Sequence, residues 1–225
     1  MNLNADLGEG GHEDEAILVQ VDSANVACGV HAGSVSISIA TMSRCGALGV
    51  ETGAHPGFDD RASFGRVELP LPVEEIEALV AFQVAGLAAI GPIAYIKPHG
   101  ALYHRCQRDS AAADAVARVA RRHGAGVVGQ PGFELIAAAK RGGIPGYREG
   151  FADRRMLADG SLAPRSEPEA LLDASAAAEQ AVSLARSGLY DTICIHGDRP
   201  GAGAVALAVR RGFEEAGITT SRLAS

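Results

Sequence analysis

Tryptophan is absent from this sequence, aromatic residues make up 4% of its 225 positions, and only two lysines, Lys97 and Lys140, stand against eighteen arginines. So thin an aromatic supply weighs against a peptide-docking or sugar-stacking surface. No apolar run approaches the roughly 18 residues of a membrane span. The opening MNLNADLGEG has neither the basic nor the apolar region of a secretion signal. The four cysteines (Cys28, Cys45, Cys106 and Cys194) lie far apart without a C-x-x-C pair, the pattern of reduced thiols in a cytoplasmic protein. Twenty basic against 27 acidic residues leave a net charge of −7, and the arginines are scattered, so neither nucleic acid nor membrane is an expected partner. Certain motifs are missing as well. No G-x-G-x-x-G follows the first strand segment, and no Walker loop occurs, so a nucleotide is not cradled here by either device. No G-x-S-x-G and no H-E-x-x-H are found, which disfavours a serine nucleophile and a helix-borne metal pair.

What is present is a 47% hydrophobic chain in which strand-length apolar segments alternate with helical ones. Strands are expected at 3–7, 24–28, 50–54, 93–97, 126–128, 146–149 and 192–196, and helices near 34–46, 72–90, 110–123, 131–141, 168–187 and 200–216. The helix at 72–90 carries Val73, Ile76, Val80, Val84 and Leu87 at three- and four-residue steps, with Glu74, Glu75 and Glu77 at its positive N-terminal end. Helices 168–187 and 200–216 each open near a proline and stop at a glycine. VSISI at 35–39 alternates like a strand, yet a helix is needed there to carry the chain between parallel strands. The alternation predicts an α/β fold with a parallel sheet: a single-domain (β/α) barrel over 1–225, seven-stranded and TIM-like, with an open doubly wound sheet as the rival.

The polar residues that follow each strand carry the functional signal. Strand one ends in Asn4, Asp6 and Glu9; strand two in Asn25, leading to His31; strand three in His55; strand four in Lys97 and His99. Strand six runs toward Asp153, and strand seven ends in His196 and Asp198. In a parallel α/β protein these ends share one face, where active sites assemble. Alone, each residue would read as a loop cap or a satisfied hydrogen bonder; six strand ends together point to an enzyme. His12, His104 and His123 sit in polar loops or at helix ends and are left as such. Lys97 near a barrel mouth needs an anionic answer: a substrate carboxylate or phosphate, a proton-transfer role with lowered pKa, or a buried pair with Asp6 or Asp153. Asp6 with two of the histidines, His31 and His55 foremost, is the competing metal site, for a divalent ion of unstated identity.

These residues fall in blocks, NLNADLGEG, SANVACGVHAG, TGAHPGF with FGR, IKPHGALY, FADR–DG, PRS and TICIHGD–PGA, that run in order from 2 to 203. Together they resemble the LamB/YcsF family, the 5-oxoprolinase A subunits. The resemblance implies a barrel related to carbohydrate deacetylases. It also implies ATP-dependent opening of 5-oxo-L-proline (pyroglutamate) to L-glutamate with partner subunits B and C. ATP would then be a co-substrate handled by the partners. For such a reaction Asp6 is expected to activate water, alone or by holding a metal, Lys97 to bind the substrate carboxylate or the oxyanion, His99 to assist proton transfer to the leaving nitrogen, and Asp153 to orient Lys97 or His99. Asn4, Glu9, Asn25, His31, His55, Arg66, His196 and Asp198 complete the substrate site. A metal-dependent deacetylase or amidohydrolase acting alone, a non-catalytic binding or regulatory subunit, and a homo-oligomer stay open. The chain departs from the family in a short loop after the first strand, Val30 before His31, SVS after HAG, Met156 after ADR, and a missing insertion before TICIH.

Overall fold

The computed structural model describes residues 1–157, 161–164 and 167–224. The DG and PRS blocks fall in part on 158–160 and 165–166, outside the described residues. Seven parallel strands close a barrel in sequence order: β1 (Asn2–Leu7), β2 (Ser23–Ala27), β3 (Glu51–His55), β4 (Tyr95–Ile96), β5 (Gly126–Gly129), β6 (Gly146–Phe151) and β7 (Thr192–His196). The last strand returns to the first, with Asp6 opposite His196 on one side and Asn25 on the other. Around it lie α1 (Asp14–Leu18), α2 (Val35–Leu48), α3 (Val73–Ala88), α4 (Gly100–Arg108), α5 (Ser110–Arg122), α6 (Glu134–Gly142), α7 (Ala174–Arg186) and α8 (Ala202–Glu215).

The two-residue period of the strands decides which side chains the barrel encloses. In β1, Leu3, Ala5 and Leu7 join the apolar cluster shared with the helices, together with Ala24, Val26, Ile96, Ile193 and Ile195. The alternate residues turn inward and hydrogen-bond one another. Asn2 donates to Ser23 (2.8 Å), Asn4 to Thr192 (2.6 Å), and Thr192 to Asn2 (2.7 Å). Tyr95 fills the middle of the barrel: a Cβ on Gly53 would lie 2.1 Å from its ring, so glycine is required in β3. A barrel interior satisfied by its own polar groups is costly to build but holds the residues above it rigidly.

Helix boundaries follow their caps. Ser34 accepts a hydrogen bond from the Ile37 amide at the start of α2, and Gly49 closes that helix at φ 70°. The VSISI segment is therefore helical, as the crossover requires. The segment expected at 168–187 instead begins at Ala174, because Asp173 rather than Pro168 caps it, accepting from the Ala176 amide. Expected strand 93–97 shrinks to Tyr95–Ile96. Two helices were not anticipated. α1 is only five residues long, and α4 starts directly after His99, where Pro98 and Gly100 read as breakers.

Candidate active site

The strand ends of the barrel surround a cavity of about 270 Å³. Asp6, Glu9, His55, Arg66, Lys97, His99, His196 and Asp198 line it. The other four expected residues lie one or two contacts behind that wall. Asn25 donates to Asp6 Oδ1 (2.7 Å) and to Asn4 (2.6 Å), so both amides lie beneath Asp6 and support it. His31 meets Glu9, and Asp153 meets His196.

The floor of the cavity is a charge cluster. Lys97 Nζ lies 2.9 Å from Asp6 Oδ1, 2.8 Å from Glu149 Oε1 and 2.9 Å from Cys194 Sγ, with the Phe151 ring 5.6 Å away. The Glu149 contact is an ion pair off hydrogen-bond alignment; that carboxylate also accepts from the Tyr103 hydroxyl at 3.1 Å. Burial works against a charge on Lys97, but Asp6, the Cys194 sulfur and Glu149 outweigh it, and its pKa is raised well above the ordinary lysine value. That direction is opposite to the one a proton-transferring Lys97 would need. Burial likewise opposes ionisation of Asp6, yet His55 and Lys97 hold its carboxyl well below the usual range. The Cys194 thiol is pushed well up, first by burial and then by Asp6, and all four cysteines are free.

On one side, Asp153 holds His196. Its Oδ1 lies 2.9 Å from Nδ1, its Oδ2 accepts from the backbone amide at 3.2 Å, and Phe151 stacks on the ring at 5.6 Å. The expectation is that Asp153 orients Lys97 or His99; the contact found is with His196, which follows from Asp153 lying just beyond β6 and His196 ending its neighbour β7. His196 Nε2 then faces Asp6 Oδ2 at 4.0 Å. At the rim, Arg66 pairs with Asp198 and stacks over Phe64.

On the other side, three imidazoles surround Glu9. Its Oε1 lies 3.3 Å from His31 Nε2, 3.3 Å from His99 Nδ1 and 3.8 Å from His55 Nε2. His31 and His99 stack at 4.0 Å. Burial opposes a charge on Glu9, but the His31, His99 and His55 imidazoles beside it lower its pKa. Burial, countered in part by Glu9, takes His31 down to about 4, whereas for His55 the Asp6 carboxylate overcomes burial and raises it. Metal-ligand atoms gather in two groups, Glu9–His31–His55–His99 and Asp6–Cys194–His196. The expected set of Asp6, His31 and His55 is thus divided between them, although Asp6 Oδ2 remains 3.5 Å from His55.

Several site residues escaped the sequence reading. In the sequence Glu149 and Cys194 read as ordinary strand positions, His104 reads as a loop or helix-end residue, and nothing singles out Tyr103 or Arg154; yet Tyr103, His104 and Arg154 line the cavity. Gln83 of α3 accepts from the Gly57 amide (3.0 Å) and donates to the Gly57 carbonyl (2.9 Å), fixing the loop beneath His31. The one signal available for Glu149 was its alternation with Tyr147 and Phe151, which places all three on the same face of β6.

The model of the LamB/YcsF family matches residues 1–225. The chain belongs to the LamB/YcsF family. It is 44% identical to the A subunit of 5-oxoprolinase from Chloroflexus aggregans, over 97% of both chains. Among solved structures it resembles the lactam utilization protein from Thermus thermophilus, at 36% identity, TM-score 0.90 and 98% coverage of both chains. The family 4 carbohydrate esterase from Streptomyces lividans shares the fold alone, at 8% identity and TM-score 0.56, covering 99% of this chain and 92% of that one. The first two likenesses span nearly the whole chain. Among the described residues no helix is long and apolar enough to cross a membrane.

Proposed function

We propose that this chain hydrolyses the ring amide of 5-oxo-L-proline to L-glutamate, as the A subunit of an ATP-dependent 5-oxoprolinase whose B and C subunits handle the nucleotide. The observation that supports this best is the meeting of an ionised Asp6 with the Asp153–His196 pair over one small cavity, in a relative of proteins named as 5-oxoprolinase A subunits. A five-membered lactam is a nearly unstrained amide, so water needs a base and the leaving nitrogen needs an acid. Asp6 takes a proton as the water oxygen bonds to the carbonyl carbon. His196, held by Asp153, serves as the acid and gives a proton to the ring nitrogen as the C–N bond breaks. The proton on Asp6 then returns to His196, whose Nε2 lies 4.0 Å away, by way of one bridging water, closing the cycle. His99 is less suited to this transfer, because both its ring nitrogens are engaged, by Phe64 and by His55.

Lys97 keeps Asp6 ionised. Its three N–H donors face three partners, which leaves the substrate carboxylate to another cation. Arg66 at the rim has five donors and takes that role. Coupled ATP hydrolysis supplies the driving force, and with no Walker loop in this chain the nucleotide step falls to the partners.

The test is 5-oxoproline-dependent ATP hydrolysis and glutamate release by the chain with and without subunits B and C. Asp6→Asn should lower turnover of the complete system by about 10²–10⁴-fold with the fold intact; near-normal turnover refutes the assignment. Amide hydrolysis by the chain alone would instead favour an independent amidohydrolase. Unchanged activity in both Asp6→Asn and His196→Ala would favour a binding subunit.

A further inference from the structure

The four-residue group on the Glu9 side has a feature that the reaction above leaves unused. His55 Nδ1 lies 2.7 Å from the Lys97 carbonyl oxygen, and His99 Nε2 lies 2.8 Å from the Phe64 carbonyl oxygen. A carbonyl oxygen only accepts, so each of those nitrogens carries the ring's hydrogen. The other two nitrogens, His55 Nε2 and His99 Nδ1, therefore present lone pairs, and they face each other at 3.0 Å. Glu9 adds a carboxylate oxygen 3.3 Å from one and 3.8 Å from the other. Two lone pairs and a carboxylate aimed at one point repel unless a cation lies between them. The cation is either one shared proton or a metal ion.

Three further observations select the metal. First, a tetrahedral ion with ligand bonds of about 2.0–2.1 Å has its donors about 3.3 Å apart. Four of the six donor pairs lie at 3.0, 3.3, 3.3 and 3.8 Å, near those edges, and all six lie within 4.8 Å. Secondly, the outer hydrogen bonds are those a metal-binding imidazole uses: the remote N–H is given to a fixed acceptor, which sets ring orientation and tautomer. The Phe64 carbonyl is placed by a non-glycine residue at φ 58°, a conformation that costs energy. Thirdly, His31 is wholly buried and its Nδ1 has no partner, so nothing but Glu9 and the converging group fixes which nitrogen it presents. Space for these rings is cleared by glycine. A Cβ on Gly57 would lie 2.7 Å from His31 Nδ1, and one on Gly65 would lie 2.9 Å from His31 Cβ and 3.0 Å from His99 Cδ2. A shared proton needs only two nitrogens; the third imidazole and the carboxylate fit a four-donor ion.

We propose that Glu9, His31, His55 and His99 bind one divalent transition-metal ion, with zinc the first case because imidazole and carboxylate donors in tetrahedral array suit it. Glu9, His55 and His99 line the cavity, so the ion lies at its wall, with His31 behind. Asp6, Cys194 and His196 form the rival group, but Lys97 lies 2.9 Å from both Asp6 Oδ1 and the Cys194 sulfur, and its fixed positive charge repels a second cation there. The proposal does not rest on lactam hydrolysis.

The full chain is stripped with a chelator, reloaded with zinc or cobalt, and its metal counted by plasma mass spectrometry and calorimetry. One equivalent is expected, with affinity falling at least tenfold in His99→Ala and in Glu9→Gln, and unchanged in His196→Ala. The cobalt form needs no variant: an intense visible absorption marks a four-coordinate nitrogen–oxygen site. Failure to take up zinc or cobalt would leave the shared proton as the answer and overturn the proposal. So would the weak absorption of a six-coordinate cobalt ion, or binding lost in His196→Ala but kept in His99→Ala. Loss of lactam turnover with metal retained would count against the proposed reaction alone.

Discussion

The two walls of this cavity solve opposite electrostatic problems with similar residues. On the Lys97 side, two carboxylates, a thiol and an ammonium group are nearly dry, and the ammonium group answers both carboxylates at 2.8 and 2.9 Å. On that wall a side chain supplies the cation. On the Glu9 side, one carboxylate is surrounded by three imidazoles, and the acceptor nitrogens of two of them point at each other. That wall is built around a charge that side chains alone do not supply. Burial of ionisable groups therefore has two meanings in one site: where a side chain supplies a cation between the carboxylates, it fixes geometry, and where acceptor nitrogens meet with no such cation between them, it marks a place for a ligand.

The comparison breaks most severely at Lys97. Lys97→Met removes the single cation between Asp6 and Glu149 and leaves two buried carboxylates without compensation, which costs about 3–5 kcal/mol. Urea unfolding should show that loss, and turnover should vanish with it. Adding Glu149→Gln should recover a large part of the stability while activity stays low, since Asp6 loses its fixed counter-charge either way. Should Lys97→Met alone retain the stability of the parent, Lys97 is not the cation that holds the two carboxylates of the floor together.

A smaller effect sharpens the other wall. Gln83 is buried and makes both hydrogen bonds to the Gly57 backbone. Gln83→Leu leaves a buried N–H and C=O unpartnered, a loss of about 1–3 kcal/mol. Because Gly57 packs against the His31 ring, the imidazole resonances of His31 and His99 should shift in an NMR titration while that of His196 stays in place. Equal shifts in all three would mean that the two walls are mechanically one.

How much of this was legible beforehand follows from which interactions are local. Polar residues at the strand ends could be read because each sits next to its own strand, and the seven-stranded barrel followed from alternation. The division of those residues into two groups could not be read. Asp6 and Glu9 are three residues apart, yet one answers Lys97 and the other the imidazoles, a choice made by the loop after β1. Glu149 was hidden for a related reason: in GYREGF it looks like any exposed strand position until closure of the barrel brings Lys97 against it from β4. Helix α4 was masked by Pro98 and by Gly100 at φ 53°, which read as loop although they serve to turn His99 into the cavity and start the helix at once.

The rim supplies the mildest test of the contrast between committed and available charge. Arg66 is about two-fifths exposed and shares its guanidinium with Asp198, whereas Lys97 is almost completely enclosed. Exposed pairs of this kind contribute at most about 1 kcal/mol, so Arg66→Ala should leave thermal stability nearly unchanged. Its effect should instead appear in binding. If the rim guanidinium takes the substrate carboxylate, the variant raises KM for 5-oxoproline about tenfold, equivalent to about 1.4 kcal/mol, with kcat little altered. Arg66→Lys should recover only part of that loss, because a single ammonium cannot reproduce a two-pronged contact. A KM unchanged in both variants would return the carboxylate to the interior, where Lys97 would have to give up one of its present partners to receive it.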